Sequence, residues 1–288
     1  WLKNPHRSSS GNFRIARPHS AMLAEQEPLV PGSEPTLWCG FINCSKLSVW
    51  RGEGSDRRLW KGFCSLCLVA EFCVYFDAVR ARPVLLLAGT LTLFKLLVET
   101  WGQDTPTWVC PGGPVMFLVI YVGIIPGVVY ADGLCTHNPD ILCPYRDAVG
   151  FALFAFGSVY SLWYEVHRFK WKKDSGNKGR LHMVGLARYC IHPNYFGDLF
   201  TYTGWAICVG TTCALSVPLM MVWTFVYLVN PNSDAYLAER YSQEWPAYAT
   251  QTATLIPGVR SSVANQAWAW LAFAAGCYLG GSCAGQCG

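Results

Sequence analysis

The stretch Gly185-Leu-Ala-Arg-Tyr-Cys-Ile-His-Pro-Asn-Tyr-Phe-Gly-Asp198 gathers the polar side chains best suited to chemistry, and it opens a strongly apolar run. Pro193 suits the first turn of a helix, where its missing N–H removes no hydrogen bond. His192, Tyr195 and Asp198 recur every three residues, so they share one face of that helix. Asn194 falls in the first turn, among unsatisfied backbone N–H groups at the positive end of the helix dipole, a place for an anion or a polarised carbonyl. Grouping His, Asn, Tyr and Asp at membrane depth is unfavourable unless they line a wet cavity. The plainer alternative is that they satisfy one another at the interface.

Immediately before this motif runs Glu165-Val-His-Arg-Phe-Lys-Trp-Lys-Lys-Asp-Ser-Gly-Asn-Lys-Gly-Arg180, with six Lys or Arg against two acids. That excess of +4 equals the formal charge of the whole 288-residue chain. Such a cluster orients neighbouring membrane spans and places itself on the cytoplasmic side. It also suits anionic lipid or a phosphate group. The modest net charge implies no nucleic-acid partner.

The fourteen cysteines set no disulfide framework. Cys64, Cys67, Cys73, Cys208 and Cys213 lie in or beside apolar blocks, where cysteine packs as a small hydrophobe. Cys64-x-x-Cys67 has zinc or redox spacing, but no second pair or histidine partner follows at finger distance, so no metal site is expected. Cys135, His137 and Cys143 share a Pro-rich loop that could be bridged in an oxidising lumen. Asn43-Cys44-Ser45 is a formal glycosylation sequon.

The elements that must position the polar motif are membrane helices. Hydrophobic residues make up 52% of the chain and charged residues 14%, well below the ~25% usual in soluble domains. The apolar residues fall in blocks at about 63–79, 83–99, 114–131, 148–166, 197–212, 214–230 and 265–281, close to the ~20 residues that cross a bilayer. Glu71 and Asp77 count against the first block. The run after Gly197 is too long for one span, and Pro218 offers a break, so two helices joined near Thr211–Pro218 are expected. Residues 1–61 carry nine basic and five acidic residues with no sustained period, and read as a poorly ordered extension or a targeting segment. The fold expected is all-α: a polytopic transmembrane bundle of about six spans with a basic cytoplasmic loop. Its divisions are 1–61, membrane helices over 62–147, a domain over 148–260 bearing the motif, and an apolar segment over 261–288.

The motif Gly-Leu-x-x-Tyr-x-x-His-Pro-Asn-Tyr-Phe-Gly-Asp resembles the signature of the membrane steroid 5-alpha-reductase C-terminal superfamily, which includes the sterol C14 and C7 reductases. Phe169-Lys-Trp-Lys-Lys-Asp-Ser-Gly-Asn-Lys-Gly179 is similar to the basic approach segment of a related, poorly characterised branch. Asp234-Ala-Tyr-Leu-Ala-Glu-Arg-Tyr241, followed by Trp245, Tyr248 and Leu255-Ile-Pro257, looks like that family's C-terminal stretch. The resemblance covers about residues 148–260. It implies an endoplasmic-reticulum or other internal-membrane enzyme that uses NADPH to reduce a carbon–carbon double bond in a steroid, sterol or other lipid. It also implies that Asn194 meets the nicotinamide carboxamide. Asp198, with Tyr195 and His192 on the same face, would serve the substrate's oxygen function. Tyr236, Arg240 and Tyr241 would close over the nucleotide, with Glu165, Arg168, Lys172 and Arg188 completing the cofactor site. The chain departs from the family at Ile191, where many relatives have Arg, and no tyrosine of the N-terminal half can be matched to the steroid branch's.

Two other readings stand beside this one. Isoprenylcysteine and phospholipid methyltransferases share a similar His-Pro-x-Tyr helix opening but bind S-adenosylmethionine. After the hairpin they carry an Arg-Glu type pair, where this chain reads Asn230-Pro-Asn-Ser-Asp234. A non-catalytic lipid-binding membrane protein is the third. The charge pattern itself predicts topology. Lys173→Cys should gain labelling by a membrane-impermeant thiol reagent, above the wild-type background, only once the cytoplasmic face is opened. Labelling from the lumenal side alone would reverse the orientation.

Overall fold

The structure is a computed structural model and describes residues 55–102 and 143–286. All of these fall in the unit Thr36–Gly288, and the unit Trp1–Pro35 holds none of them. The expected span at 114–131, the Cys135 and His137 loop and the Asn43 sequon lie outside the described residues. What is described is helical, with one isolated bridge and no strand. The helices are α1 (Ser55–Ala78), α2 (Pro83–Gly102), α3 (Pro144–Lys173), α4 (Pro193–Val209), α5 (Ser216–Thr224), α6 (Asn230–Arg240), α7 (Trp245–Gln251) and α8 (Ser262–Gln286). A five-residue π-helical segment, Phe225–Val229, joins α5 to α6 without a break.

Among the described residues four helical segments are long and apolar enough to cross a membrane: Arg58–Ala78, Pro83–Gly102, Pro144–Lys173 and Cys213–Arg240. Three boundaries differ from the sequence expectation. First, α1 starts at Ser55, inside the segment read as unordered. Its Glu71 is buried in the protein, whereas Asp77, next to the last residue of the helix, is exposed and pairs with Arg80 at 3.6 Å. Second, Glu165–Lys173 is not loop. α3 runs 30 residues, or ~45 Å at 1.5 Å per residue, well beyond a ~30 Å hydrocarbon core. Lys170, Lys172 and Lys173 therefore form its last turn, where cations complement the helix dipole. Third, the run after Gly197 does divide into two helices close to the expected Thr211–Pro218 joint, but the break is made by Gly210, whose φ of +89° ends α4 in a left-handed cap. Pro218 sits in the first turn of α5, where proline is tolerated.

The most extensive helix pair is α3 with α4. Gly150 and Gly157 on α3 face Gly204 and Gly197 on α4, each pair spaced by seven residues and so two turns apart on one side. A Cβ on Gly157 would collide with the Gly197 carbonyl and the Thr201 amide. One on Gly197 would stand 2.8 Å from the Gly157 carbonyl and 2.9 Å from the Ser161 amide. The obstacles are backbone atoms, which cannot swing aside as a side chain can. Small residues at such crossings let membrane helices approach closely, which is the main source of association where lipid is as apolar as leucine.

Two further contacts join α1 and α2 to this pair. Trp205 Nε1 donates to the Tyr75 hydroxyl (3.2 Å), which in turn donates to the Leu85 carbonyl (3.1 Å). Arg82, between α1 and α2, donates to the last carbonyls of α4, Cys208 (2.6 Å) and Val209 (3.2 Å), satisfying groups that have no partner within their helix. α8 packs along α5, with Gly276 against Leu219 and Met220 and Trp270 against Trp223 and Tyr227.

The glycine contact generates a direct test. Gly157→Ala should lower stability by roughly 1–3 kcal/mol, the usual scale of overpacking a tight contact. Gly62→Ala, within α1 and with nothing within 4 Å of the added methyl, should be neutral or stabilising by up to about 1 kcal/mol. The measurement is reversible unfolding in detergent. Equal effects of the two substitutions would dismiss the close backbone crossing.

Candidate functional site

The N-terminus of α4 is held from two sides. Its N-cap residue His192 is buried, and Nε2 lies 2.8 Å from Asp234 Oδ1 of α6. The preceding backbone runs alongside Ala253–Leu255. The Ile191 and His192 amides donate to the Ala253 (2.8 Å) and Thr254 (3.2 Å) carbonyls. The Cys190 thiol donates to the Leu255 carbonyl at 2.9 Å. Burial pushes that thiol up to about 12, so it is a packing group and not a nucleophile. Tyr248 of α7 donates to the Ala187 carbonyl at 2.8 Å, and burial likewise raises its hydroxyl above the ordinary value. The C-terminal stretch singled out in the sequence is thus a strap across the approach to α4.

The three residues spaced by three on α4 separate in their partners. The Tyr195 ring stacks between His192 (5.2 Å) and Phe225 (4.9 Å). Its hydroxyl bonds Ser233 and lies within electrostatic reach of Glu165, Asp198 and Arg168. Asp198 faces α2 instead, where Lys95 Nζ lies 3.4 Å from its Oδ1. Lys95 also donates to Ser161 Oγ of α3 at 3.1 Å, and Glu99 Oε1 stands 3.9 Å from it. His192 is thus paired with α6, while Asp198 belongs to a charged cluster contributed by α2, α3 and α4. Asn194 makes no side-chain hydrogen bond among the described residues.

The residues expected to hold a cofactor fall into two groups. Arg168 Nη2 pairs with Glu165 at 2.7 Å, and Lys172 lies within electrostatic reach of Arg168, Glu165 and Arg240. Arg240 donates to the Tyr236 hydroxyl at 2.8 Å and covers the rings of Tyr236 and Tyr241 at 5.8 and 5.7 Å. Glu165, Arg168, Lys172, Tyr236, Arg240 and Tyr241 thus converge at the end of α3. Arg188 is exposed on a short 3₁₀ turn, Gly185–Arg188. No group of three or more His, Cys, Asp or Glu among the described residues has metal-binding geometry, and Cys67 lies apart from the site on α1.

Sequence reasoning missed Lys95, Glu99 and Ser161. A lysine and a glutamate four residues apart, inside an otherwise uncharged span, were the available signal. It also passed over His182, which is buried among Tyr164, Trp171 and His167. His182 Nε2 lies 3.2 Å from His167 Nδ1, and its own Nδ1 is buried without a partner. Gly185, at φ +64°, passes so close that a Cβ would stand 3.2 Å from the His167 ring.

The family match covers residues 92–252, more than half the chain, and the chain belongs to that family, described as Protein of unknown function (DUF1295). The match begins three residues before Lys95. Among curated proteins, a probable O-methyltransferase, ustE, of Ustilaginoidea virens is 33% identical over 100 residues. That alignment covers 34% of this chain and 35% of the relative, so the chain spans about a third of the relative's length. No solved structure gives a significant match.

Burial first, and then the nearby His167, Arg168 and Lys172, depress the His182 imidazole to about 4 from its ordinary 6.5. An unfolded chain therefore takes up a proton between pH 6.5 and 4 that the folded protein refuses. The stability held by neutral His182 is complete above pH 6.5 and falls away as pH drops toward 4, by about 2–3 kcal/mol in all. Thermal midpoints of the wild type should show this loss and those of His182→Gln a much smaller one. Parallel losses in both would remove His182 from the account.

Proposed function

We propose that this member of the DUF1295 family is a membrane-embedded, NADPH-dependent reductase of a carbon–carbon double bond in a lipid. The observation that carries the reading is the convergence of Arg168, Lys172 and Arg240, three cations against the carboxylate Glu165, near the turn that presents Asn194. NADPH brings a pyrophosphate and a 2′-phosphate, a polyanion that suits such a cluster beside a helix N-terminus. S-adenosylmethionine is a sulfonium cation with a single carboxylate, and gains far less from it. The residues fit the cofactor in a second respect, because the Asn194 amide has no side-chain hydrogen bond among the described residues and can serve a carboxamide.

When bound, NADPH supplies the hydride. The protein's own groups do the rest. Arg168, Lys172 and Arg240 hold phosphate charge, and Tyr236 and Tyr241 steady Arg240. Asn194 orients the reacting ring, and Asp198, one turn along α4, stands at the depth where the lipid's polar function lies. The aromatic groups Phe156, Tyr160, Phe196 and Phe200, in edge-to-face contact along α3 and α4, keep the site dry. Overall, a double bond, NADPH and one proton become a saturated bond and NADP⁺. An internal membrane such as the endoplasmic reticulum, where such lipids reside, is the compartment this reading carries with it, with the basic end of α3 in the cytoplasm.

A methyltransferase is the second reading, favoured by the name of the Ustilaginoidea relative. The two readings part on the cofactor. NADPH should raise the thermal midpoint of the detergent-solubilised protein, and S-adenosylmethionine should not. Asn194→Ala should weaken the NADPH effect. Asp198→Asn should keep it while cutting turnover of NADPH against a panel of lipid substrates by about a hundredfold or more. Stabilisation by S-adenosylmethionine alone would transfer the assignment to methyl transfer.

A further inference from the structure

Ser175 opens the short 3₁₀ turn Ser175–Asn177 directly after α3, and its exposed hydroxyl makes no hydrogen bond among the described residues. Around it the chain reads Lys172-Lys173-Asp174-Ser175-Gly-Asn-Lys178-Gly-Arg180, four cations against one acid. The turn folds back onto the helix end. Asp174 Oδ1 accepts from the Gly176 amide at 3.0 Å, and Asn177 Nδ2 donates to the Trp171 carbonyl at 3.1 Å. The Lys178 amide donates to the Ser175 carbonyl at 3.3 Å. Ser175 is thereby kept between the last turn of α3 and Lys178. Asp174 leaves the helix with extended backbone, at φ −69° and ψ 126°, and Lys172 and Lys173 just before it are exposed. α3 is ~45 Å long against a ~30 Å hydrocarbon core, so a helix end carrying these cations stands in water.

We propose that Ser175 is a phosphorylation site for a basic-directed protein kinase, and that the phosphate set there lowers the affinity of the neighbouring cation cluster for its cofactor. The second half rests on the reductase reading, and the first does not. An accessible hydroxyl two and three residues after paired lysines suits a kinase cleft lined with acids, because the lysines pair with the cleft's carboxylates. Helix ends fray, so the last turn can open into the extended form that such a cleft takes up. The charge rule assigns this end to the cytoplasm, where ATP is present. The Ser175 oxygen bonds to the γ-phosphorus of ATP and the bond to the β-phosphate oxygen breaks. ADP leaves, and the hydroxyl proton passes to solvent. The new group carries about −1.5 to −2 charges at pH 7. Four cations and one acid leave residues 172–180 at +3, so the phosphate cancels half or more of that charge. Lys172, three residues before Ser175, belongs to both neighbourhoods, since it lies within electrostatic reach of Arg168 and Arg240. A phosphoserine draws Lys172 away from those two and repels the phosphates of a dinucleotide held there.

The test treats the full chain in detergent with the catalytic subunit of cAMP-dependent protein kinase and γ-labelled ATP. Label should enter the folded protein at Ser175, located by peptide mass, and the Ser175→Ala protein should lack it. Lys172→Gln combined with Lys173→Gln should slow labelling at least about tenfold. In the phosphorylated protein, the NADPH concentration giving half of the thermal shift should rise about tenfold, the scale of one lost charge-assisted contact. Phosphatase treatment should reverse that rise. Ser175→Ala should respond to NADPH as the wild type does, with or without the kinase. No label at Ser175, label only after heat denaturation, or labelling indifferent to the two lysines overturns the site. Full phosphorylation with an unchanged NADPH midpoint overturns the effect on the cofactor. Label at Ser175 in a protein that NADPH does not stabilise in either form retains the modification site and rejects the reductase.

Discussion

The close backbone contact between α3 and α4 sets the position of nearly every polar group of interest. Gly150, Gly157, Gly197 and Gly204 carry nothing between the two helices, so the approach is limited mainly by backbone carbonyls and amides. Ser161 lies one turn beyond Gly157, Glu165 another turn on, and Arg168 and Lys172 follow. Across the same seam Gly197 is flanked by Asn194, Tyr195 and Asp198. A seam fixed by main-chain atoms has little freedom to slide, and the catalytic or binding geometry proposed here inherits that rigidity.

Charge within the membrane-spanning helices is arranged in compensated units. Lys95 meets Asp198, Arg168 meets Glu165, and His192 meets Asp234. The Lys95 pair joins groups distant in sequence and the Glu165 pair lies within one helix; breaking either leaves a partner without its counter-charge, which is more destabilising than removing both. The ends differ in character. At the end of α3 cations exceed acids, and Lys172 and Arg240 are exposed. Around Lys95 the groups are half-buried and closely paired.

The approach to α4 shows how a loop can be made as firm as a helix. Residues 190–192 lie against 253–255 through backbone bonds, Tyr248 ties down Ala187, and Glu244 accepts from the Leu181 amide at 2.6 Å. Thus the segment after the hairpin, remote in sequence, shapes the turn that presents Asn194. Family membership across residues 92–252 takes in α2 through α7, and the strap extends just past that limit.

The amino-acid sequence by itself determined that this is a helical membrane protein, because long uncharged blocks admit no other spanning structure with every backbone group paired. It also marked the His192–Asp198 turn and the basic end of α3, since proline, polar clusters and charge runs signal locally. The tertiary structure alone decided that α3 continues through Lys173 and that Gly210 and not Pro218 ends α4. Each depends on neighbours: a left-handed glycine needs the packing that holds it, and a helix outlasts its apolar stretch when its end is supported. Lys95 shows the limit most plainly. Its charge was visible in an apolar span, but a period of 3.6 residues says only which face it occupies, and the meeting with Asp198, 103 residues away, exists only once the helices pack.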